Sequence, residues 1–382
     1  MNLFDDKKRT HGGPADHAES SWEYLDRSAR QDVRHIRSLL NEWFQLVPSS
    51  HQYELKSNFQ SDFEAAFFEL YLFRMLTYLG YRVKIHPSLP HTQRSPDFYA
   101  TRDGVDFFLE ATVARDESDE ESRRRAVAKN LYDYLNELHS PYFLRISRLE
   151  IDPNAQPKLR AIKAFLKREA KERDPDLTSA GNGLHNYPTV RFQDPEQDPE
   201  VLIDFQLIPK PLEIRDDPTK RNIGLYPPET RWGGVTSTVR SSVLNKSTRY
   251  GELPKPYVVA VNINSHWFDW SDAVNALSGD LNLVSRGPGT PDVAKRGTGV
   301  WHGPRAPQNT RLSAVLVSKV HPWSMGDERP KLFHHPWGRQ PLPQGALPVD
   351  VWIPEGTIEP RFSSGRSPKD LVGVEAGWPS FA

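Results

Sequence analysis

Residues 62–79 are apolar on almost every side, with Phe63, Phe67, Phe68, Leu72, Met75, Leu76 and Leu79 among them. That pattern predicts a helix buried by several neighbours rather than one with a single dry stripe. Two carboxylates interrupt it. On a helical wheel Glu69 falls between Leu72, Phe73 and Leu76, and Glu64 between Tyr71 and Met75. A buried lone carboxylate is costly unless it is paired or binds a metal.

After this helix the period changes from 3.6 to 2. Residues 81–85 read as a strand. Asp103 and Gly104 then stand between two β-rich runs, the strongest short-range signal for a hairpin. With Asp103–Gly104 as the two-residue turn, Arg102 faces Val105, and counting outward Asp97 faces Glu110. In the second strand Asp106, Phe108, Glu110 and Thr112 share one side. Directly opposed residues have Cβ atoms roughly 4.5–5.5 Å apart, so two carboxylates there repel unless neutralised. A hard divalent cation such as Mg²⁺ (or Mn²⁺) suits them, because Mg²⁺ is commonly held by one or two carboxylates plus water and phosphate.

Elsewhere the pattern predicts helices over Asp26–Leu46, Glu117–Leu138 and Pro157–Arg173, and strands over Pro141–Ile151, Val201–Pro209 and Arg311–Ser318. The 157–173 helix is basic, with Lys163, Lys167 and Lys171 among its cations, and Arg123, Arg124 and Arg125 form a second basic cluster. Such faces are either solvated or phosphate-tracking. In the helix over Val235–Tyr250, Val235, Val239, Val243 and Tyr250 form one stripe, and Lys246 falls in the middle of it. An inward lysine needs a carboxylate or phosphate partner. A buried strand over Pro256–Ile263 follows.

Composition narrows the function classes. The chain has 382 residues, 37% hydrophobic, with a formal net charge of -1, so any nucleic-acid contact is local rather than global. There are no cysteines, which excludes disulfides and thiolate zinc and fits a reducing, cytoplasmic setting. No apolar run is long enough to span a membrane. Adjacent His334 and His335 diverge on most backbones, and no further ligand cluster lies at metal-binding spacing near them.

Taken together, the helix carrying Glu69, the following strand, Pro96–Asp97, and Glu110–Ala111–Thr112 on a strand resemble the PD-(D/E)xK nuclease superfamily. Thr112 stands where that family has its lysine. The resemblance implies a restriction-endonuclease-like αβββαβ core of the α/β class, with a mixed central sheet flanked by helices. It implies a metal-dependent nuclease, acting on DNA more than RNA. Asp97, Glu110 and Glu69 would be metal ligands, with Glu64 as the alternative helix acid and Thr112 as a further position in the site. Members of the superfamily move the lysine to a neighbouring helix, which makes Lys246 the replacement. Its ammonium must then lie within about 5 Å of the Asp97–Glu110 pair, the range over which opposite charges act strongly. Arg123–Arg125, Lys163, Lys167 and Lys171 would hold the nucleic-acid backbone. A host-defence or mobile-element role accompanies families of this kind, and an oligomer is compatible with it. The alternative is a catalytically inactive nuclease-fold module that binds nucleic acid or protein. The expected division is a disordered tail at 1–20, a docking helix within 21–60, a core of 61–114 and 235–320, an insertion at 115–234, and an irregular extended region at 321–382.

Overall fold

Three helices precede the apolar segment in the computed structural model: α1 (Ser21–Arg27), α2 (Gln31–Gln45) and α3 (Ser49–Ser61). The apolar segment itself is α4 (Phe63–Tyr78), capped by Asp62, whose side chain accepts from the Ala65 N–H. Ten residues of α4 are buried around its circumference, which requires neighbours on several sides. Trp43 of α2 meets Tyr71, Phe59 of α3 meets Phe63, and Arg74 donates to the Val372 carbonyl of a C-terminal helix. Phe68 is fully buried. Phe68→Ala is expected to lower stability by about 3–5 kcal/mol, the usual result of emptying an aromatic site in a core; chemical denaturation measures it.

The structure describes all residues except 116–118, 152–156, 178–186, 195–200, 216, 218–220, 226–233, 266–267, 280, 285–291, 296–297, 304, 355–360 and 380–382. The chain falls into two units, one of Met1–Gly13, Ser20–Asp116 and Gly233–Ala382, the other of Pro14–Glu19 and Glu117–Trp232.

In the first unit α4 is followed by β1 (Arg82–Ile85), β2 (Phe98–Arg102) and β3 (Val105–Arg115). The hairpin register is the one the Asp-Gly turn dictates: Arg102 pairs with Val105 and Phe98 with Leu109. Asp103 and Gly104 have φ of 48° and 80°, the two positive values a type I′ turn requires. The second unit then contains α5 (Asp119–Asn136), β4 (Tyr142–Ile151), α6 (Leu159–Lys171), β5 (Thr189–Gln193), β6 (Val201–Pro209) and β7 (Ile223–Leu225). Its sheet has the order β5-β6-β4-β7, and Ile162 and Leu166 of α6 join its core.

The chain returns to the first unit with α7 (Gly234–Ser247), β8 (Tyr257–Asn264), α8 (Trp270–Ser278), a hairpin of β9 (Leu281–Val284) and β10 (Asp292–Lys295), and β11 (Ala314–Ser318). It closes with β12 (Lys331–His334), β13 (Asp350–Ile353), β14 (Arg361–Ser363) and α9 (Pro368–Val372). Eight strands form one mixed sheet in the order β1-β2-β3-β8-β11-β12-β13-β14. β3, β8 and β11 are mutually parallel, and β1-β2, β2-β3, β11-β12 and β13-β14 are antiparallel. The protein is therefore α/β with a large mixed sheet. Strands β8 and β11 are buried along nearly their whole length, as parallel strands covered on both faces must be. Phe108, Val259 and Val261 pack with Val239 and Val243 of α7 in one cluster. On the other face Phe98 meets Phe73 of α4.

Two expectations are corrected. The segment 1–20 is not a loose tail: Leu3 and Phe4 are buried, Phe4 stacks on Trp22, and its N–H donates to Asn41. The region 321–382 is not an irregular extension, because β12, β13 and β14 lengthen the central sheet. These strands have three or four residues each, too short for a period-2 signal, and Pro and Gly between them mask what they do. No helix among the described residues is long and apolar enough to cross a membrane.

Candidate functional site

Asp97 stands one residue before β2, just past the last ladder pair, Phe98 with Leu109, and close enough to Glu110 on β3 for that charge to act on it. Asp97 Oδ2 accepts a hydrogen bond of 2.6 Å from the Ala111 N–H, which fixes the carboxylate against the neighbouring strand. Glu110 is 1% exposed, so it must be neutralised where it sits. Helix α7 and the turn after it supply the partners. The Lys246 ammonium lies 2.7 Å from Glu110 Oε1 and the Arg249 guanidinium 3.2 Å from the same oxygen. The Tyr250 hydroxyl is 2.6 Å from Glu110 Oε2. Lys246 reaches inward because Val239 and Val243 on the same stripe are packed against the sheet. A carboxylate has about four lone-pair sites, so these contacts leave Glu110 capacity for another ligand.

Glu69, on α4, lies close enough that Asp97, Glu110 and Lys246 all act on its charge. Burial, then the charges of Asp97 and Glu110, push the Glu69 carboxyl up to about 8. Burial, then Glu110, push Asp97 up to about 7, against the opposing pull of the Ala111 N–H, Lys246 and Arg249. Lys246 and Arg249 touch Glu110 directly, so the shortage of positive charge falls on Asp97 and Glu69. A cation would be needed to supply the missing charge, and an all-oxygen donor set is the kind Mg²⁺ or Mn²⁺ takes.

That arrangement gives stability a particular pH dependence. Both carboxyls are raised, so the folded protein holds these protons more tightly than the unfolded chain. The associated stability is fully present below the ordinary carboxylate range. It is lost as pH rises through about 7 for Asp97 and about 8 for Glu69. Metal-free protein is expected to melt at progressively lower temperature from pH 5 to pH 8, with Mg²⁺ reversing the trend at the alkaline end. Thermal unfolding with and without chelator measures this; in Glu69→Gln the part of the slope near pH 8 is expected to disappear while the Asp97 part near pH 7 remains.

Other residues singled out from the sequence lie elsewhere or play a different part. Glu64, in the first turn of α4, accepts a hydrogen bond from Ser21 of α1 at 3.3 Å; Glu69, not Glu64, is the helix acid brought to the pair. Thr112 sits on β3 opposite Val261 of β8, half-buried. Lys163 lies over the Tyr134 ring at 4.7 Å and 3.9 Å from Glu137, so its charge already has partners within its own unit. Lys167 and Lys171 are exposed. Arg123, Arg124 and Arg125 fall within α5, but their side chains lie outside the described residues. Sequence reading missed Arg249 and the hydroxyl of Tyr250 as Glu110 partners. Helical spacing alone could not have found them, because both follow the last residue of α7, Ser247.

A small open cleft has Glu69 and Asp97 in its wall beside His51, Glu54 and His86. Compared with family models, with curated proteins and with solved structures, the chain matches none.

Proposed function

We propose that the protein is a metal-dependent nuclease hydrolysing phosphodiester bonds, with a restriction-endonuclease-like core in α4, β1–β3, α7 and β8. The observation that carries this reading is the Lys246 ammonium 2.7 Å from Glu110 Oε1, arriving from a different element in place of the lysine absent at Thr112, with Asp97 and Glu69 near enough for their charges to act on one another. Lys246 and Arg249 both lie on Glu110, and burial with the neighbouring acid charges raises Asp97 and Glu69 above the ordinary carboxylate range.

In this reading Asp97, Glu110 and Glu69 hold Mg²⁺ or Mn²⁺. The bound cation supplies a lowered pKa for its water and charge compensation at the phosphate. Lys246 presents a point charge suited to a phosphate oxygen and orients the attacking water. Arg249 and Tyr250 keep Glu110 in place when Lys246 turns towards substrate. The exposed Lys167 and Lys171 are candidates for backbone contacts, which position nucleic acid without reading sequence. DNA is the favoured substrate by resemblance alone.

A second reading, a nuclease-like fold that binds without cleaving, is favoured by Thr112 in the lysine position. Incubating the wild type with supercoiled plasmid, single-stranded DNA and RNA, each with Mg²⁺, with Mn²⁺ and with chelator, separates the two. The proposal expects degradation that chelator abolishes. Binding without product under every metal condition sinks it and leaves the second reading.

A further inference from the structure

The cleft beside the carboxylates contains a second donor set of different chemistry. His51 and Glu54 stand three residues apart on α3, a spacing that puts both side chains on one face of the helix. His86 comes from the end of β1. One donor atom from each of the three lies within 4.8 Å of the others. The two imidazoles meet edge to face, with ring centroids 5.7 Å apart and planes at 82°.

The backbone at His86 provides an independent observation. Its φ is 44°, in the left-handed region that a residue with a Cβ enters at a cost. Its N–H donates to the Asp97 carbonyl at 3.0 Å, so the loop after β1 is tied to the residue that opens the carboxylate site. A strained, hydrogen-bonded backbone that aims an imidazole at another imidazole and a carboxylate is the kind of outlier from which a function is inferred. Glu54 is also one of the negative charges acting on Glu69, so a cation bound at Glu54 would be felt by the carboxylate site.

We propose that His51, Glu54 and His86 form a binding site for a borderline-soft divalent cation of the Zn²⁺ and Co²⁺ class, distinct from the all-oxygen site of Asp97, Glu110 and Glu69. Two imidazoles and one carboxylate suit such an ion and not Mg²⁺. Bonds of about 2.0–2.2 Å place tetrahedral donors about 3.4 Å apart, so small side-chain rotations close the set. Three protein ligands leave one position open to water or to an anionic oxygen entering the cleft, the arrangement of reactive rather than purely structural zinc sites. The site does not depend on nuclease activity and stands or falls by metal binding.

The test is Co²⁺ titration of the full-length protein, read by visible ligand-field absorption, followed by competition with Zn²⁺. The variants are His51→Ala, His86→Asn and Asp97→Ala. Asparagine removes the imidazole while tolerating the left-handed backbone, which separates loss of a ligand from loss of fold; circular dichroism checks each variant. The expected result is a band saturating at about one equivalent and displaced by Zn²⁺. It weakens at least tenfold in affinity in His51→Ala and His86→Asn and persists in Asp97→Ala. No band in the wild type overturns the proposal. So does a band unchanged in both histidine variants, or one lost only in Asp97→Ala.

Discussion

Glu110→Gln is expected to reduce Mg²⁺-dependent cleavage on the order of 10³-fold, equivalent to about 4 kcal/mol of transition-state stabilisation. Glutamine keeps the shape of the side chain and loses the charge. Lys246 at 2.7 Å and Arg249 at 3.2 Å then face a neutral amide, and the three-carboxylate set drops to two. Mg²⁺ affinity should fall together with activity, because the same charge serves both. A second effect points the other way and identifies the mechanism. Glu110 is among the charges that raise Asp97 and Glu69, so its neutralisation should let both ionise at lower pH. Titration of the variant by carboxylate NMR or infrared difference spectroscopy should show that downward movement. Loss of activity without it would mean that the acids are not electrostatically joined.

The second large effect is expected from Lys246→Met, on the order of 10²–10³-fold in cleavage, the range for removing one preorganised charge-stabilising group. Here metal affinity should hold or rise, since a positive charge has been taken away from Glu110, the carboxylate proposed to bind the metal. That split between metal binding and cleavage distinguishes Lys246 from Glu110. Removing one partner of a buried ion pair is usually destabilising by several kcal/mol. Arg249 and Tyr250 remain on Glu110, so the loss should be smaller, about 1–2 kcal/mol. An equal loss of metal affinity in Lys246→Met would place the lysine in a merely structural role.

The site was legible in the sequence where local rules fix long-range geometry. An Asp-Gly turn sets the hairpin register, and that register, paired out to Phe98 with Leu109, brings Asp97 to the neighbourhood of Glu110. The valine stripe of α7 aimed Lys246 at the sheet. The wheel of α4 distinguished Glu69 only weakly from Glu64, because a helix apolar on every side gives no unique inward face; a hydrogen bond from Ser21 of α1 takes up Glu64. Arg249 and Tyr250 lie beyond the end of α7, where helical spacing no longer guarantees direction. The His51–Glu54–His86 group was not legible at all. A histidine and a glutamate three apart are commonplace, and only the turn after β1 brings the third donor to them. The burial of Leu3 and Phe4 in a polar stretch likewise depends on an aromatic partner, Trp22, that no local pattern reveals.

Central to this reading is the proposal that Asp97 and its neighbours form a metal centre for phosphodiester hydrolysis. Single-turnover cleavage of an end-labelled DNA, single-stranded and duplex, by wild type and Asp97→Ala across a Mg²⁺ titration tests it most directly. Metal-saturable product formation is expected of the wild type and essentially none of Asp97→Ala, with both proteins folded. Equal cleavage by the two proteins, or no cleavage by the wild type at any Mg²⁺ or Mn²⁺ concentration, would contradict it.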